Sequence, residues 1–332
     1  MLATIRRLLA WLLLALVALA ALGALYFYVQ TQRRPSLDSY PLLPPAPAGA
    51  PIQVRFAGVA TLLFDDGQTA WMTDGFFSRP SLARTAFMRI APDRVAIDAG
   101  LKSLGVTRLA AVVPLHSHHD HAMDSPLVAM QTGALLVGSE STLNIGRGLG
   151  MPEGRMRRVQ PRDKLTLGRW SLTFLASSHV PLPVLREGVV QTIDAPLVPP
   201  AHATAWREGQ TWALLVEHSA AAAPMLVLGS AGFVVGALEG QRAGTVFLGV
   251  GSAGKQSPAY LSQWWHESVK RVGAKRVVAI HWDDFGEPLD KPMVAFPYLI
   301  DDLGVTMRHL TAWGARDGVE IRLPPLLTPF AP

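Results

Sequence analysis

The residues best able to do chemistry are His116, Ser117, His118, His119, Asp120 and His121, which set histidine and carboxylate at the spacing His-x-His-x-Asp-His. Imidazole nitrogen and carboxylate oxygen are the ligands Zn²⁺ takes in hydrolytic sites, and a single turn can present several of them at once. A lone histidine is most often a core or surface residue satisfied by its neighbours. A cluster of this density, in a chain with ten histidines among 332 residues, predicts a metal site instead. Zinc held there lowers the pKa of its bound water to about 7 and polarises the carbonyl or phosphoryl oxygen under attack. Asp120 can orient that nucleophile. The chain has no cysteine, which excludes a thiol nucleophile and removes disulfides as a stabiliser.

The flanking elements show how such ligands would be presented. Arg108 to Leu115 is a short apolar run that reads as a buried strand, and Asp124-Ser125-Pro126 followed by Leu127, Val128 and Met130 reads as a capped helix start. The ligands therefore sit in a strand-to-helix loop, where α/β enzymes commonly build their sites.

This arrangement resembles the metallo-β-lactamase superfamily, whose signature is that motif followed by later single ligands at the ends of successive strands. Trp170 to Ser178 ends at His179, which the resemblance joins to His116 and His118 as one metal site. Arg276 to Ile280 ends at His281, which would join Asp120 and His121 at a second. The family's bridging aspartate falls where Met225 to Leu228 runs into Gly229-Ser230-Ala231-Gly232, and Ser230 stands in its place. A neutral hydroxyl is a poor ligand beside a carboxylate, so one tightly held Zn²⁺ and an optional second are expected. The resemblance implies a four-layer αββα sandwich of two mixed sheets and a metal-bound hydroxide as nucleophile, with Asp120 and His121 as its catalytic pair.

Residues 52–67 alternate or run apolar and end in Asp66-Gly67, a hairpin signal, and the next strand ends at Thr73-Asp74-Gly75. This resembles the opening hairpin of the branch containing N-acylphosphatidylethanolamine-hydrolysing phospholipase D and the ascorbate-6-phosphate lactonases, with Val59 where that branch often carries histidine. Helices are expected over Asp93–Leu104, Ser125–Thr132, Ser139–Leu149, Pro258–Val272 and Val294–Trp313.

The chain divides into an N-terminal segment (1–30), a linker (31–51) and a catalytic domain (52–332). Leu8 to Val29 carries no charge and follows Arg6 and Arg7. At about 1.5 Å per residue it reaches across the roughly 30 Å of a bilayer core. It reads as an uncleaved inner-membrane anchor ending in the aromatic Tyr26-Phe27-Tyr28, or as a signal peptide cleaved after Ala18-Leu19-Ala20, giving a secreted domain. Arg6 and Arg7 favour a cytoplasmic N-terminus and a periplasmic domain. The linker has six prolines between Pro35 and Pro51, which suits an extended spacer standing off the membrane.

A net charge of +5 is spread without a run of basic residues, so a surface near anionic headgroups is expected and nucleic acid is not. Arg155, Arg157, Arg158 and Arg162 are expected on an exposed strand. Nothing in the chain sets an oligomeric state. His119 should point away from the ligands, and Asp283 or Asp284 could hold a ligand imidazole in one tautomer. His202 is a loop histidine with some reach to substrate, whereas His218, His266 and His309 look like surface or helix positions. Gly249 to Lys255 fails the phosphate-loop pattern at Gln256 and is expected to line the site entrance, where Lys255 could meet an anion.

The stretch from Val180 to Pro200 is long, apolar and proline-rich, a composition that suits a lid or binding wall. With the anchor, it favours a small-molecule or lipid-like substrate, such as a phosphodiester or ester. The competing readings are an iron-dependent oxidoreductase of the same fold, against which Ser230 and His118 both count, and a metal-binding membrane protein without turnover.

Overall fold

The computed structural model describes residues 2–181 and 191–332. In chain order its strands are β1 (Gln53–Phe56), β2 (Leu62–Asp65), β3 (Ala70–Thr73), β4 (Arg89–Ile90), β5 (Ala111–Val113), β6 (Leu135–Gly138) and β7 (Met156–Arg158). They continue as β8 (Lys164–Leu167), β9 (Trp170–Ser177), β10 (Ala201–His202), β11 (Thr211–His218), β12 (Met225–Leu228), β13 (Thr245–Gly249), β14 (Arg276–Ile280) and β15 (Glu320–Arg322). The α-helices are α1 (Leu2–Gln32), α2 (Leu82–Phe87), α3 (Arg94–Ser103), α4 (His119–Ala122), α5 (Ser125–Thr132), α6 (Glu140–Gly148), α7 (Pro258–Trp265) and α8 (Leu303–Asp317).

Two large mixed sheets form. One has six strands in the order β1-β2-β3-β5-β6-β7, the other seven in the order β15-β14-β13-β12-β11-β9-β8, and β4 pairs with β10 in a short ribbon. In each large sheet one half is antiparallel and the other parallel. The parallel halves need crossover helices, which is why both sheets are covered on their outer faces.

Period-two alternation assigns each side chain of the first sheet to a layer. Leu62, Phe64, Trp71, Ala111 and Val113 enter the core between the sheets, while Leu63, Met72 and Val112 face Ile97, Leu101, Leu127 and Val128 of the helices outside. Strands buried on both faces read as continuous apolar runs, and that is how Ala111–Val113 and Met225–Leu228 read. Phe64 stacks on Trp71 at 4.4 Å, and Trp170 of the second sheet meets both rings edge-on. Aromatic pairs of this kind contribute about 0.5–1.5 kcal/mol beyond their buried area.

Two elements differ from expectation. The last helix begins at Leu303, not near Val294. Pro297 disfavours helical geometry at Phe296 and offers no amide, and the Asp302 carboxylate caps the true start by accepting from the Val305 amide at 3.1 Å. The linker is extended but not free of the domain. Leu43 is buried and donates to Leu323, Ala46 donates to Pro329, and Leu42 bridges Leu323, because the non-proline amides of the segment still find carbonyl partners.

Ala3–Gln32 is a helix of 30 residues whose apolar stretch is exposed, and it is long enough to cross a membrane. Its end is fastened to the domain: Tyr298 donates to the Arg33 carbonyl, and Arg34 pairs with Asp284 at 2.6 Å.

Candidate metal centre

The loop ends of β5, β9 and β14 bring six side chains together. His116 to His118 follow β5, and His119–Ala122 is the single turn α4, so the ligand motif passes from extended to helical backbone within it. His179 lies just beyond β9 and His281 directly after β14. The result is two trios, His116/His118/His179 and Asp120/His121/His281, each with donor atoms within 4.8 Å of one another. The rings of His116 and His121 are 3.8 Å apart, so the trios adjoin.

Donor spacing tests whether a metal fits. A tetrahedral zinc with nitrogen ligands at about 2.0–2.1 Å sets those ligands about 3.3–3.4 Å from each other. In the first trio His116 Nε2 is 3.0 Å from His118 Nδ1. In the second, His281 Nε2 is 3.1 Å from His121 Nε2 and 3.3 Å from Asp120 Oδ2, and His121 Nε2 is 3.6 Å from that oxygen. These distances bracket the required spacing, and the donor set is of the kind divalent zinc takes, so the residues fit the ion.

The outward nitrogens support the same conclusion. His121 Nδ1 contacts the Asp74 carboxylate at 2.7 Å, and His179 Nδ1 contacts the Val180 carbonyl at 2.8 Å. Each contact places the ring proton on Nδ1 and leaves the Nε2 lone pair facing the trio, as the outer partners of metal-bound histidines do. His116 Nδ1 and His281 Nδ1 are buried with no hydrogen-bond partner among the described residues.

Electrostatics keep the imidazoles of the first trio neutral and available. Burial, and then the neighbouring imidazoles, hold His116 and His118 well below the ordinary histidine range, while burial takes His179 down to about 4. Burial would raise Asp120, but facing His121 and His281 outweighs it and holds the carboxyl well below its usual range. His121 is drawn up: burial opposes its charge, and the Asp74 and Asp120 carboxylates prevail.

Other predicted positions fall elsewhere. Ser230 belongs to neither trio, and its hydroxyl accepts from the Val180 amide at 3.0 Å. His119 turns away from the ligands, as expected, and into an aromatic pocket beside Phe76 and Phe285. Asp283 and Asp284 hold no imidazole: Asp283 accepts from the Val59 amide at 2.8 Å and pairs with Arg79 at 2.6 Å, while Asp284 takes Arg34. Asp74 fills the role expected of them. Its only signal in the sequence was an aspartate closing a strand.

Gly251 does approach the site, since a Cβ there would meet His281 Nδ1 at 2.9 Å, but the Lys255 ammonium is engaged by the Tyr298 carbonyl at 2.6 Å. His202 lines a groove of about 520 Å³ with Arg89, Asp194 and Arg207, and no member of either trio lines it. His218 is buried, contrary to the surface reading. Arg157 and Arg158 are exposed on the edge strand β7, as expected. The proline-rich wall expected from Val180 to Pro200 lies in part outside the described residues, at 182–190.

The backbone around the trios is strained. Val59, Asp74, Arg79 and His281 have φ of +50°, +55°, +41° and +58°, four of the seven non-glycine residues with positive φ among those described. Each such conformation costs about 1–3 kcal/mol and persists only where surrounding contacts enforce it.

Comparison with family models and with curated proteins finds no match. Solved structures do match. An isothiocyanate hydrolase from Delia radicum gut bacteria aligns at 14% identity over 84% of this chain and 98% of its own, with a TM-score of 0.54. A metallo hydrolase of the archaeon Ignicoccus hospitalis aligns at 12% identity over 82% of this chain and 94% of its own, with a TM-score of 0.50. The metallo-β-lactamase fold protein YhfI of Bacillus subtilis aligns at 14% identity over 82% of this chain and 96% of its own, at 0.48. The chain shares the fold of the first two of these hydrolases, an α/β arrangement of two mixed sheets, behind an N-terminal apolar helix.

Proposed function

We propose that this chain is a zinc-dependent hydrolase held at a membrane by its N-terminal helix, acting on a phosphodiester or ester of a lipid-like substrate. The observation that carries the reading is the convergence of His116, His118 and His179 beside Asp120, His121 and His281 at the strand ends of this fold. His116, His118 and His179 would hold the tighter ion; Asp120, His121 and His281 would hold a weaker one, for want of a carboxylate at Ser230. A zinc ion there supplies Lewis acidity and an activated water. Asp120, kept ionised by His121 and His281, accepts a hydrogen bond from the attacking water and so orients it. Asp74 keeps the His121 imidazole turned toward the reacting side.

The opening hairpin supports placement near the branch of N-acylphosphatidylethanolamine-hydrolysing phospholipase D and ascorbate-6-phosphate lactonase. Residues 1–30 then act as inner-membrane anchor, 31–51 as linker and 52–332 as catalytic domain. The Arg6 and Arg7 flank supports a periplasmic domain.

The test is made on the full chain in detergent. Elemental analysis after dialysis should find near one equivalent of zinc. A panel of phosphodiester, phosphomonoester, lactone, isothiocyanate and β-lactam substrates should single out the phosphodiester or ester, with turnover rising with acyl-chain length. Equal turnover of short, water-soluble and long-chain versions of one ester would rule out the lipid-like substrate.

A further inference from the structure

His281 occupies a left-handed conformation that is uncommon outside glycine, and several contacts hold it there. Its amide donates to the Val59 carbonyl at 2.7 Å. Val59 is itself left-handed, and its amide donates to Asp283 Oδ1 at 2.8 Å. Asp283 Oδ2 takes Arg79 Nη2 at 2.6 Å, in a pair whose side chains are 2% and 1% exposed. The same Arg79 nitrogen donates to the Asp284 carbonyl at 2.8 Å, and Arg79 Nε donates to Glu287. Gly58 is required beneath it, because a Cβ there would run into the guanidinium. The outermost link is Arg34, whose Nη1 donates to Asp284 Oδ2 at 2.6 Å and to the Ala295 carbonyl at 2.8 Å. Arg34 stands two residues beyond the end of the membrane-length helix.

We propose that Arg34 and Arg79 form a clamp that positions His281, so that the segment leaving the apolar helix is a working part of the Asp120/His121/His281 half-site. The proposal rests on the metal reading above. Arg34 fixes Asp284 from outside and Arg79 fixes Asp283 and Asp284 from inside, which pins the turn after β14 and, through Val59, the His281 backbone. Both are positioning residues. The fork of Arg79 reaches three acceptors in different directions, which a lysine cannot do, whereas the single Arg34 nitrogen that makes both contacts can be replaced by an ammonium.

The full chain in detergent is compared with Arg34→Ala, Arg34→Lys and Asp284→Asn, by hydrogen exchange of the zinc-free protein and by zinc titration. In Arg34→Ala, peptides containing Val59 and His281 should exchange about tenfold faster while Met225–Leu228 is unchanged, as local opening without global unfolding requires. The second zinc equivalent should weaken about tenfold with the first unaffected, the size of an outer-partner effect. Asp284→Asn should act in the same direction, and Arg34→Lys should restore both readouts. Unchanged exchange at Val59 and His281 in Arg34→Ala and Asp284→Asn overturns the clamp. Faster exchange with an unaltered second equivalent also overturns it, since Arg34 would then brace the loop without serving the site. A parent chain that binds no zinc overturns the metal reading instead, and exchange alone then decides the clamp.

Discussion

Two buried histidine–aspartate pairs sit at opposite ends of β3, and they put the same chemistry to different uses. At one end Asp74 takes His121 Nδ1 at 2.7 Å, and His121 Nε2 is left facing His281 and Asp120. At the other, Asp66 takes His218 Nε2 at 2.9 Å, and His218 Nδ1 accepts from the Ala220 amide at 3.1 Å. The tautomers are therefore opposite. His218 spends both nitrogens on the protein and lies against Trp170 at 4.3 Å. Asp66 also receives Gln68 and Thr69 amides and the Arg169 guanidinium, tying the β2–β3 hairpin to the second sheet. A histidine with both nitrogens satisfied is a staple, while one with a nitrogen left over, aimed at other donors of its kind, is a ligand in waiting.

A ligand histidine and the staple histidine should fail in different ways when each is removed. His118→Ala should abolish both retained zinc and activity, far beyond the tenfold to hundredfold loss of outer-partner changes. His218→Ala should keep its zinc through dialysis and lose about 1–3 kcal/mol of stability from the unsatisfied groups it leaves. Elemental analysis and chemical unfolding read the two effects, and a His218→Ala protein stripped of zinc would sink the distinction.

The aspartates sharpen it. Asp74→Asn should weaken the second zinc equivalent by about ten- to hundredfold, and Asp66→Asn should leave both equivalents untouched. Acid provides a separate handle on the staple. Burial would raise the Asp66 carboxyl, yet the Thr69 amide, His218, the Gln68 amide and Arg169 hold it down at about 2. A carboxyl depressed in the folded state stabilises above its unfolded pKa of about 3.9 and loses that contribution as pH falls through the folded value. Zinc-free protein should therefore lose stability between about pH 4 and pH 2, and Asp66→Asn should flatten that part of the curve. An unchanged acid limb in Asp66→Asn would mean the staple is not ionic. The smallest expected effect is at Ser230: Ser230→Asp should raise retention of the second ion, and two tightly held equivalents in the parent chain would contradict that expectation.

Much of the candidate site is legible in the sequence, because a dense histidine–aspartate motif is recognisable from residue types and spacing alone. His116, His118, Asp120 and His121 stand out by their own spacing after an apolar strand, whereas His179 and His281 follow from the family resemblance, which directs attention to histidines closing later strands. What stayed hidden were residues whose neighbours come from distant parts of the chain. Asp74 and Asp66 both looked like ordinary strand-end and turn aspartates, and only three-dimensional pairing separates a ligand's partner from a staple. His218 ends a strand buried on both faces, where alternation carries no information on exposure. The linker misled for a related reason, since proline removes amides from the prolines themselves but leaves Leu43 and Ala46 free to pair with the far end of the chain.

That last pairing has a consequence for biogenesis. Residues 42–54 bond to residues 323–330, which emerge in synthesis long after them, with Val54 and Phe330 exchanging both of their backbone hydrogen bonds. The first sheet thus waits for the C-terminal segment before its outer strand is covered. A contact of such sequence separation forms slowly. Throughout that delay the chain already carries its exposed apolar helix, so two sticky surfaces, the helix and the open sheet edge, coexist until residues 323–330 arrive.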